Sequence, residues 1–460
     1  MDARPGPLTV NELIDQRPLS RFQISTIGLC TLVLLLDGFD TQSVGFLVPP
    51  ISEELGIPLS SFGPMLSAGL VGLMIGAMSA GPIADRWGRR PAIIASVFVF
   101  GGFSLLTAQA RSLNALIALR FLTGLGLGGA MPNVVALASE YAPKRLQATL
   151  VSGIFVGMGG GAIAASLVGR AMIPLWGWRS VFYCGGILPL VLALVLIKAL
   201  PESVRFLCVR GGRPERVAAI VARIAPGLRD VPVNLETSGN TDHEGLAVRH
   251  LFVDGRTPGT VLLWMTFFMN LLILYFILSW LPALLRQAGM AVSAGITAVL
   301  IFSVGGVLGT ILQGPLLRLL GAYVGVMTQS TMTVLLVALG STIFATFPLM
   351  MVVTFVLGVC VQGLQATLNA LAAMYYPTVA RSTGVGWALG VGRIGSIVGP
   401  LIGGVMLSLQ WTPQQIFLAG TIPAFVAVGA ILVSGQLQGD ASPYRPPTES
   451  SGAAVPSQRS

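Results

Sequence analysis

Two carboxylates three residues apart, Asp37 and Asp40, interrupt an apolar run in Leu36-Asp37-Gly38-Phe39-Asp40-Thr41. On a helix this spacing puts both on one face, and they fall near the middle of a hydrophobic stretch that begins at Ile24. A charged Asp at mid-membrane depth costs about 2.5–3.5 kcal/mol on insertion scales, so it faces a bundle interior or a wet cavity and serves a function. Two neighbouring acids in a dry bundle are suited to taking up and releasing a proton, the alternative being a purely structural hydrogen-bonding role. Competitors are few: no Asp or Glu occurs between Asp254 and Asp440, and the two histidines, His243 and His250, lie in a polar segment. Glu140 and Asp85 sit at helix ends, where they are expected to be structural or to act as a gate or final relay. Two arginines lie inside apolar helices, Arg120 and Arg393. A guanidinium there can grip a carboxylate with its planar fork.

The elements that must position these groups are membrane-spanning helices. Of 460 residues, 54% are hydrophobic and only 10% charged, against about a quarter charged in soluble domains. Long apolar runs recur from Ile24 to Val433, each near the roughly 20 residues that cross a bilayer as a helix. Helix is the required form because lipid offers no partner to a free backbone amide. The short alternating segments of a transmembrane barrel are missing.

Helices are expected at 24–50, 62–83, 91–109, 113–139, 148–172 and 178–200, then at 260–286, 292–320, 322–345, 347–374, 382–408 and 413–436. This gives an all-α polytopic membrane protein with twelve transmembrane helices in two six-helix halves. The organisation read from the chain is an N-terminal cytoplasmic segment 1–23, a first bundle 24–200, a central cytoplasmic loop 201–259, a second bundle 260–436 and a disordered cytoplasmic tail 437–460. The tail is rich in Ser, Pro and Gly, and its truncation should be tolerated. The formal charge of +9 comes from basic residues in short loops, which the positive-inside rule explains better than nucleic-acid binding does. Arg86, Arg89, Arg90, Lys144, Arg145, Arg318 and Arg381 then lie on the cytoplasmic side, and Arg111, Arg170, Arg179 and Arg286 outside. The N-terminal stretch lacks the pattern of a cleaved signal. Cys30, Cys184, Cys208 and Cys360 are scattered and imply neither disulfide nor metal.

An internal repeat supports two parallel halves. Gly72, Gly76, Gly81, Pro82 and Gly88 are echoed 233 positions later by Gly305, Gly309, Gly314, Pro315 and Gly321. Arg120-Phe121 with Gly124 reappears as Thr354-Phe355 with Gly358, the arginine lost. Such halves around a midplane site are the layout of alternating-access transporters. Gly124-Leu125-Gly126-Leu127-Gly128-Gly129 formally contains GxGxxG, but within an apolar helix it reads as close helix packing and not as a dinucleotide loop. Gly153, Gly157 and Gly161, and Gly392, Gly395 and Gly399, are read as rocking interfaces. No Walker motif, catalytic triad or metal cluster is visible, so neither an enzyme nor an ATP-driven pump is expected.

Gly81-Pro82-Ile83-Ala84-Asp85-Arg86-Trp87-Gly88-Arg89-Arg90 resembles the signature loop of the major facilitator superfamily, as do Arg120 with Gly124 and Gly126, and Pro201-Glu202-Ser203-Val204-Arg205. Leu36-Asp37-Gly38-Phe39-Asp40-Thr41 is similar to the first-helix motif of the aromatic acid:proton symporter family within it. Further likeness lies in Pro18-Leu19-Ser20-Arg21-Phe22-Gln23 and in Gly384-Val385-Gly386-Trp387 through Gly392-Arg393. The resemblance implies uptake of benzoate-like or hydroxybenzoate-like anions with protons as the coupling ion, no other cofactor, and a role for Asp37 and Asp40. The arginine-rich central segment 201–259 belongs in the cytoplasm and both termini follow it there, so the protein is expected to be multi-pass in the bacterial inner membrane, with no nucleic-acid partner.

Under that reading Arg393 is the first choice for the substrate carboxylate, and Arg120 serves coupling, or a second carboxylate if there is one. Phe39, Tyr275, Trp280 and Trp387 are available as flat walls, and Gln362, Gln365 and Asn369 share a helix face suited to ring hydroxyls. Gly81, Asp85, Arg86, Gly88, Arg89, Arg90, Glu140, Arg145 and Arg381 form a candidate gate, in which Asp85 accepts charge-assisted hydrogen bonds from a neighbouring helix. The rival functions are a sugar porter, disfavoured because no paired glutamines lie between Thr260 and Arg286, efflux of a related acid, and a membrane sensor of aromatic acids.

Overall fold

The computed structural model describes residues 14–15, 17–209, 214–224, 248–253, 255–342, 346–377 and 380–439. Among them are twelve helices long and apolar enough to cross a membrane, and no strand. The first half holds α1 (Arg21–Leu55), α2 (Gly63–Trp87), α3 (Arg89–Thr107), α4 (Leu113–Tyr141), α5 (Lys144–Trp176) and α6 (Arg179–Ala199). The second holds α7 (Thr257–Gln287), α8 (Val292–Leu320), α9 (Ala322–Thr342), α10 (Phe347–Tyr375), α11 (Arg381–Ser408) and α12 (Thr421–Gly439).

Local chemistry explains most of the helix ends. Ser20 and Gln23 form a reciprocal capping box, with Ser20 N donating to Gln23 Oε1 at 2.9 Å and Gln23 N to Ser20 Oγ at 3.3 Å. This starts α1 three residues before the expected position, because the first orphan amides are satisfied there. At its far end Gly56 adopts a left-handed conformation that stops the helix. The expected twelfth helix is instead two: Pro413–Ala419, opened by a Thr412/Gln415 capping box, and α12 after Gly420. The tail after Gly439 and most of the central segment lie outside the described residues, but two short helices there, Val204–Val209 and Pro214–Ile224, are seen. Val217, Val221 and Ile224 bury into the core of the first half, and Arg223 lies 4.1 Å from the ring centre of Phe22.

The repeat in sequence is a repeat in packing. Helices α2 and α4 close where Gly72 meets the carbonyl of Phe121, and α8 and α10 close where Gly305 meets that of Phe355. The glycines read as rocking interfaces are not between the halves. Gly157 and Gly161 fasten α5 to α1 and Gly395 and Gly399 fasten α11 to α7, each within one half, while Gly124 and Gly128, read as close helix packing, fasten α4 to α2. A fixed contact stiffens each half so that it can move as a body.

The halves meet through α1 with α7, α2 with α11, and α5 with α8. One face of the bundle carries the α2–α3 turn and the basic residues Arg86, Arg89, Arg90, Lys144 and Arg145, and is called here the basic face. Toward the opposite face the halves are closed. Ser67 Oγ donates to Ile397 O at 2.7 Å, Arg286 Nε lies 2.7 Å from Glu53 Oε1, Arg170 Nη1 lies 3.4 Å from Thr297 Oγ1, and the α1 and α7 backbones touch at Gly45 and Leu278.

Candidate functional site

Asp37 and Asp40 are buried in the middle of α1. Between them, a Cβ on Gly38 would collide with the carbonyl of Met158, so only glycine lets α1 lie this close on α5. The two acids share a helix face yet have different companions. Asp40 Oδ1 accepts a hydrogen bond from Ser104 Oγ on α3 at 3.0 Å, and its Oδ2 lies 2.8 Å from Arg120 Nη1 on α4. Both side chains of this ion pair are shielded, 1% and 4% exposed. The Arg120 guanidinium also stands 6.0 Å from the ring centre of Phe182.

Asp37 Oδ1 accepts from Thr41 Oγ1 one helical turn on, at 3.0 Å. Its Oδ2 is buried without a hydrogen-bond partner among the described residues. The positive charge within electrostatic reach of Asp37 is Arg393, from the other half. Arg393 Nη1 donates to the hydroxyl of Tyr275 at 3.3 Å, and Nη2 lies 3.8 Å from Met131 Sδ. Its side chain therefore reaches from α11 across to α4.

Arg393 lines a cavity of about 1110 Å³ that extends from mid-bundle toward the basic face. Tyr275, Trp387, Gln362, Gln365 and Asn369, all expected at a site, line it too. Trp387 is stacked on Trp264, ring centres 5.7 Å apart and planes 13° from parallel, which fixes a flat wall. Gln365 Oε1 accepts from Asn270 Nδ2 at 2.9 Å, which orients its amide. The remaining walls are largely apolar, with Met74, Met131, Val135 and Leu271 among them.

Three expected wall or substrate residues are elsewhere. Phe39 turns away from the cavity because its side of α1 packs on α6, where its ring lies against Gly185. Trp280 is fully buried and donates its indole N–H to Pro400 O at 2.9 Å, joining α7 to α11. Arg120 is engaged with Asp40 and is not part of the large cavity's wall.

The signature-loop residues form one network within the first half. Arg89 pairs with Glu140, whose other oxygen accepts from Ser203 Oγ at 2.6 Å. Glu202 Oε1 accepts from the backbone amides of Arg89 and Arg90 at 2.9 and 3.1 Å and so caps the start of α3. Gly88 makes this possible: its φ of 101° suits glycine, and a Cβ there would strike the Glu202 carboxylate. Arg90 reaches the carbonyl of Ile197, and Arg145 Nη2 that of Arg17 at 3.3 Å. Asp85 departs from expectation. It is exposed and takes no hydrogen bond or ion pair among the described residues, and Gly81 and Arg86 beside it are exposed too. The cavity separates α2 from its neighbours in the other half at this level, which leaves Asp85 facing solvent. Arg381 is exposed at the start of α11.

Sequence reasoning did not find Ser104, Gln42 or the role of Glu202. Thr41 was legible as the residue one turn from Asp37. The others are brought in by residues more than 60 positions away or marked only by an amide in an apolar helix.

Two rigid six-helix halves, closed at one face and parted by a deep cavity at the other, with buried charge at the midplane, define a membrane transporter of the alternating-access class. The chain belongs to the major facilitator superfamily, whose model matches residues 30–341 and 327–457, and within it to the branch of aromatic acid transporters. It is 40% identical to the 4-hydroxybenzoate transporter PcaK of Pseudomonas aeruginosa, over 93% of this chain and 96% of that one. It is 39% identical to a gallate transporter of Pseudomonas putida, covering 95% and 97%, and 35% identical to a benzoate transport protein of Acinetobacter baylyi, covering 93% and 92%. Among solved structures, a bacterial homologue of the lysosomal transporter Spinster, in an inward-facing and unoccupied conformation, superposes with a TM-score of 0.70 at 17% identity, covering 92% of this chain and 99% of that one. A D-xylose-proton symporter gives 0.67 at 17% identity, covering 89% and 97%.

Proposed function

We propose that the protein carries a monocyclic aromatic carboxylate of the benzoate or hydroxybenzoate class into the cell together with protons, across the bacterial inner membrane. The observation that carries this reading is Arg393. It stands in the cavity wall beside Tyr275, its guanidinium touches only the neutral Tyr275 hydroxyl and Met131 sulfur and takes no ion pair among the described residues, and its charge acts on Asp37. A substrate carboxylate gains the fork of Arg393. The ring then lies along Tyr275 and Trp387, and the amides of Gln362, Gln365 and Asn369 are within the same cavity for ring hydroxyls.

Asp37 and Asp40 are the proton-binding groups. Protonating Asp37 frees Arg393 from a competing anion, so the substrate anion and the proton favour each other's binding and travel together. The basic face is cytoplasmic by its positive charge, which puts both termini inside and makes the conformation described one that opens inward. In the outward-opening conformation the cavity closes at this face, and Asp85, Arg86 and Arg381 come within reach of the opposite half as a latch. The network of Gly88, Arg89, Arg90, Glu140 and Arg145 keeps the first half rigid through the change. Neither ATP nor nucleic acid takes part.

Uptake of radiolabelled 4-hydroxybenzoate and benzoate into proteoliposomes tests the reading. Accumulation should follow an imposed inward proton gradient, collapse with a protonophore, and fail in Asp37→Asn. Accumulation that ignores the protonophore would remove the proton from the mechanism.

A further inference from the structure

Beyond the large cavity lies a second, much smaller chamber of about 30 Å³ between α1, α2, α4 and α7. Its polar wall consists of Thr41, Gln42, Arg120, Tyr275 and Ser279. Gln42, Leu73 and Tyr275 also line the large cavity, so they form the partition between the two spaces. On one side of this partition is Arg393, and on the other is the guanidinium that pairs with Asp40.

At this chamber Gln42 Oε1, an acceptor, is buried without a hydrogen-bond partner among the described residues, and Arg120, whose Nη1 faces Asp40, sets its Nε and Nη2 donors beside Gly69 of the chamber wall. A buried acceptor is costly to leave unmet. A space above about 10–15 Å³ holds a water molecule when two or more polar groups converge on it. A water accepts from Arg120 and donates to Gln42, so it meets that acceptor. Tyr275 completes the connection: its hydroxyl oxygen accepts from Arg393, which leaves its own hydrogen to donate.

We propose that the small chamber is a built water site, and that its water relays protons between the substrate cavity and the Asp40–Arg120 pair with Tyr275 as the door. Cavity water gives a proton to the Tyr275 hydroxyl, which passes its own to the chamber water against Arg120, and from there, when the Arg120 contact opens, the proton goes to the Asp40 carboxylate that lies behind that guanidinium. The reverse order discharges it. A substrate carboxylate that takes over Arg393 releases the Tyr275 hydroxyl from that bond, which ties the door to occupancy of the site. This inference rests on the proton-coupled reading above.

Ser279 is the residue to change, because it lines the small chamber and not the large cavity. Ser279→Leu plugs the chamber, whereas Ser279→Ala removes one hydroxyl and keeps the space. Full-length protein in proteoliposomes is assayed for gradient-driven 4-hydroxybenzoate accumulation, for proton uptake with a trapped pH dye, and for counterflow, in which loaded carrier exchanges substrate without releasing its proton. The expected result for Ser279→Leu is at least a tenfold loss of accumulation and proton uptake, with counterflow within about twofold of wild type, and near wild-type behaviour for Ser279→Ala. Ser279→Val applies the same test with a smaller plug if the Leu variant does not fold. Proton-coupled accumulation that survives in a folded plugged variant overturns the relay, as does an equal loss of counterflow. If the wild type itself accumulates substrate without moving protons, the coupling reading fails, whatever the chamber does.

Discussion

Asp40 on α1 and Arg120 on α4 form an ion pair 2.8 Å long inside the first half, shielded from solvent on both sides of the pair. It joins the helix that bears both acids to the helix that bears the superfamily arginine. Pairs of this kind give little net stability against an apolar replacement, but breaking one partner leaves a buried charge at a cost of about 3–5 kcal/mol. Arg120→Gln should therefore lower the melting temperature in detergent sharply. The double variant Asp40→Asn with Arg120→Gln should recover most of that loss, while proton-driven accumulation stays absent. Thermal unfolding beside vesicle uptake separates the two effects, and a double variant no more stable than Arg120→Gln would show that the pair is not the source of the loss.

The Arg393 fork predicts a strict preference for guanidinium. Lysine keeps the charge but presents a point donor, so Arg393→Lys should weaken 4-hydroxybenzoate binding by about tenfold or more, near 1.4 kcal/mol. Tryptophan quenching or calorimetry on purified protein measures this directly. Unchanged affinity would move the carboxylate site elsewhere in the cavity.

Glu53 and Arg286 clasp the two halves at the closed face. Their side chains are 52% and 40% exposed, and a pair this open to water is worth about 0–1 kcal/mol. Arg286→Ala should then raise the share of molecules open at that face by no more than about fivefold. Modification rates of a cysteine introduced near Gly63 report this share. A much larger rise would mean that the clasp is stronger than its exposure implies.

Glu202 holds the start of α3 through two backbone amides. Loss of a helix cap costs about 0.5–2 kcal/mol, so Glu202→Ala should lower thermal stability by that amount and Glu202→Gln by less. Gly88→Ala should cost more than either, since it sets a Cβ against the same carboxylate and strains a positive φ. The order of the three melting temperatures is the test.

Much of this was legible in the sequence because bilayer physics leaves few choices. Apolar length gave the spans, and the 233-residue echo of Gly72 in Gly305 gave the two halves. The spacing of Asp37 and Asp40 placed them on one face, and depth in α11 singled out Arg393. What helical periodicity does not carry is which neighbour each face meets. Phe39 looked like a substrate wall beside two acids, yet it turns to α6. Ser104 and Glu202 act on groups 64 and 112 to 113 residues away, and nothing local marks them. Gln42 stands out only once two cavities are seen to share it.

The repeat retained its glycine contacts in both halves but kept an arginine at only one of two equivalent places, Arg120 against Thr354. Among the described residues the fully buried acids are both on α1, whereas three of the four amide side chains in the cavity wall, Gln362, Gln365 and Asn369, belong to α10. Under the proposed function, substitutions in α10 should change which ring is accepted without disturbing the charges on α1. A lineage of such proteins has room to diversify its diet while its engine stays the same.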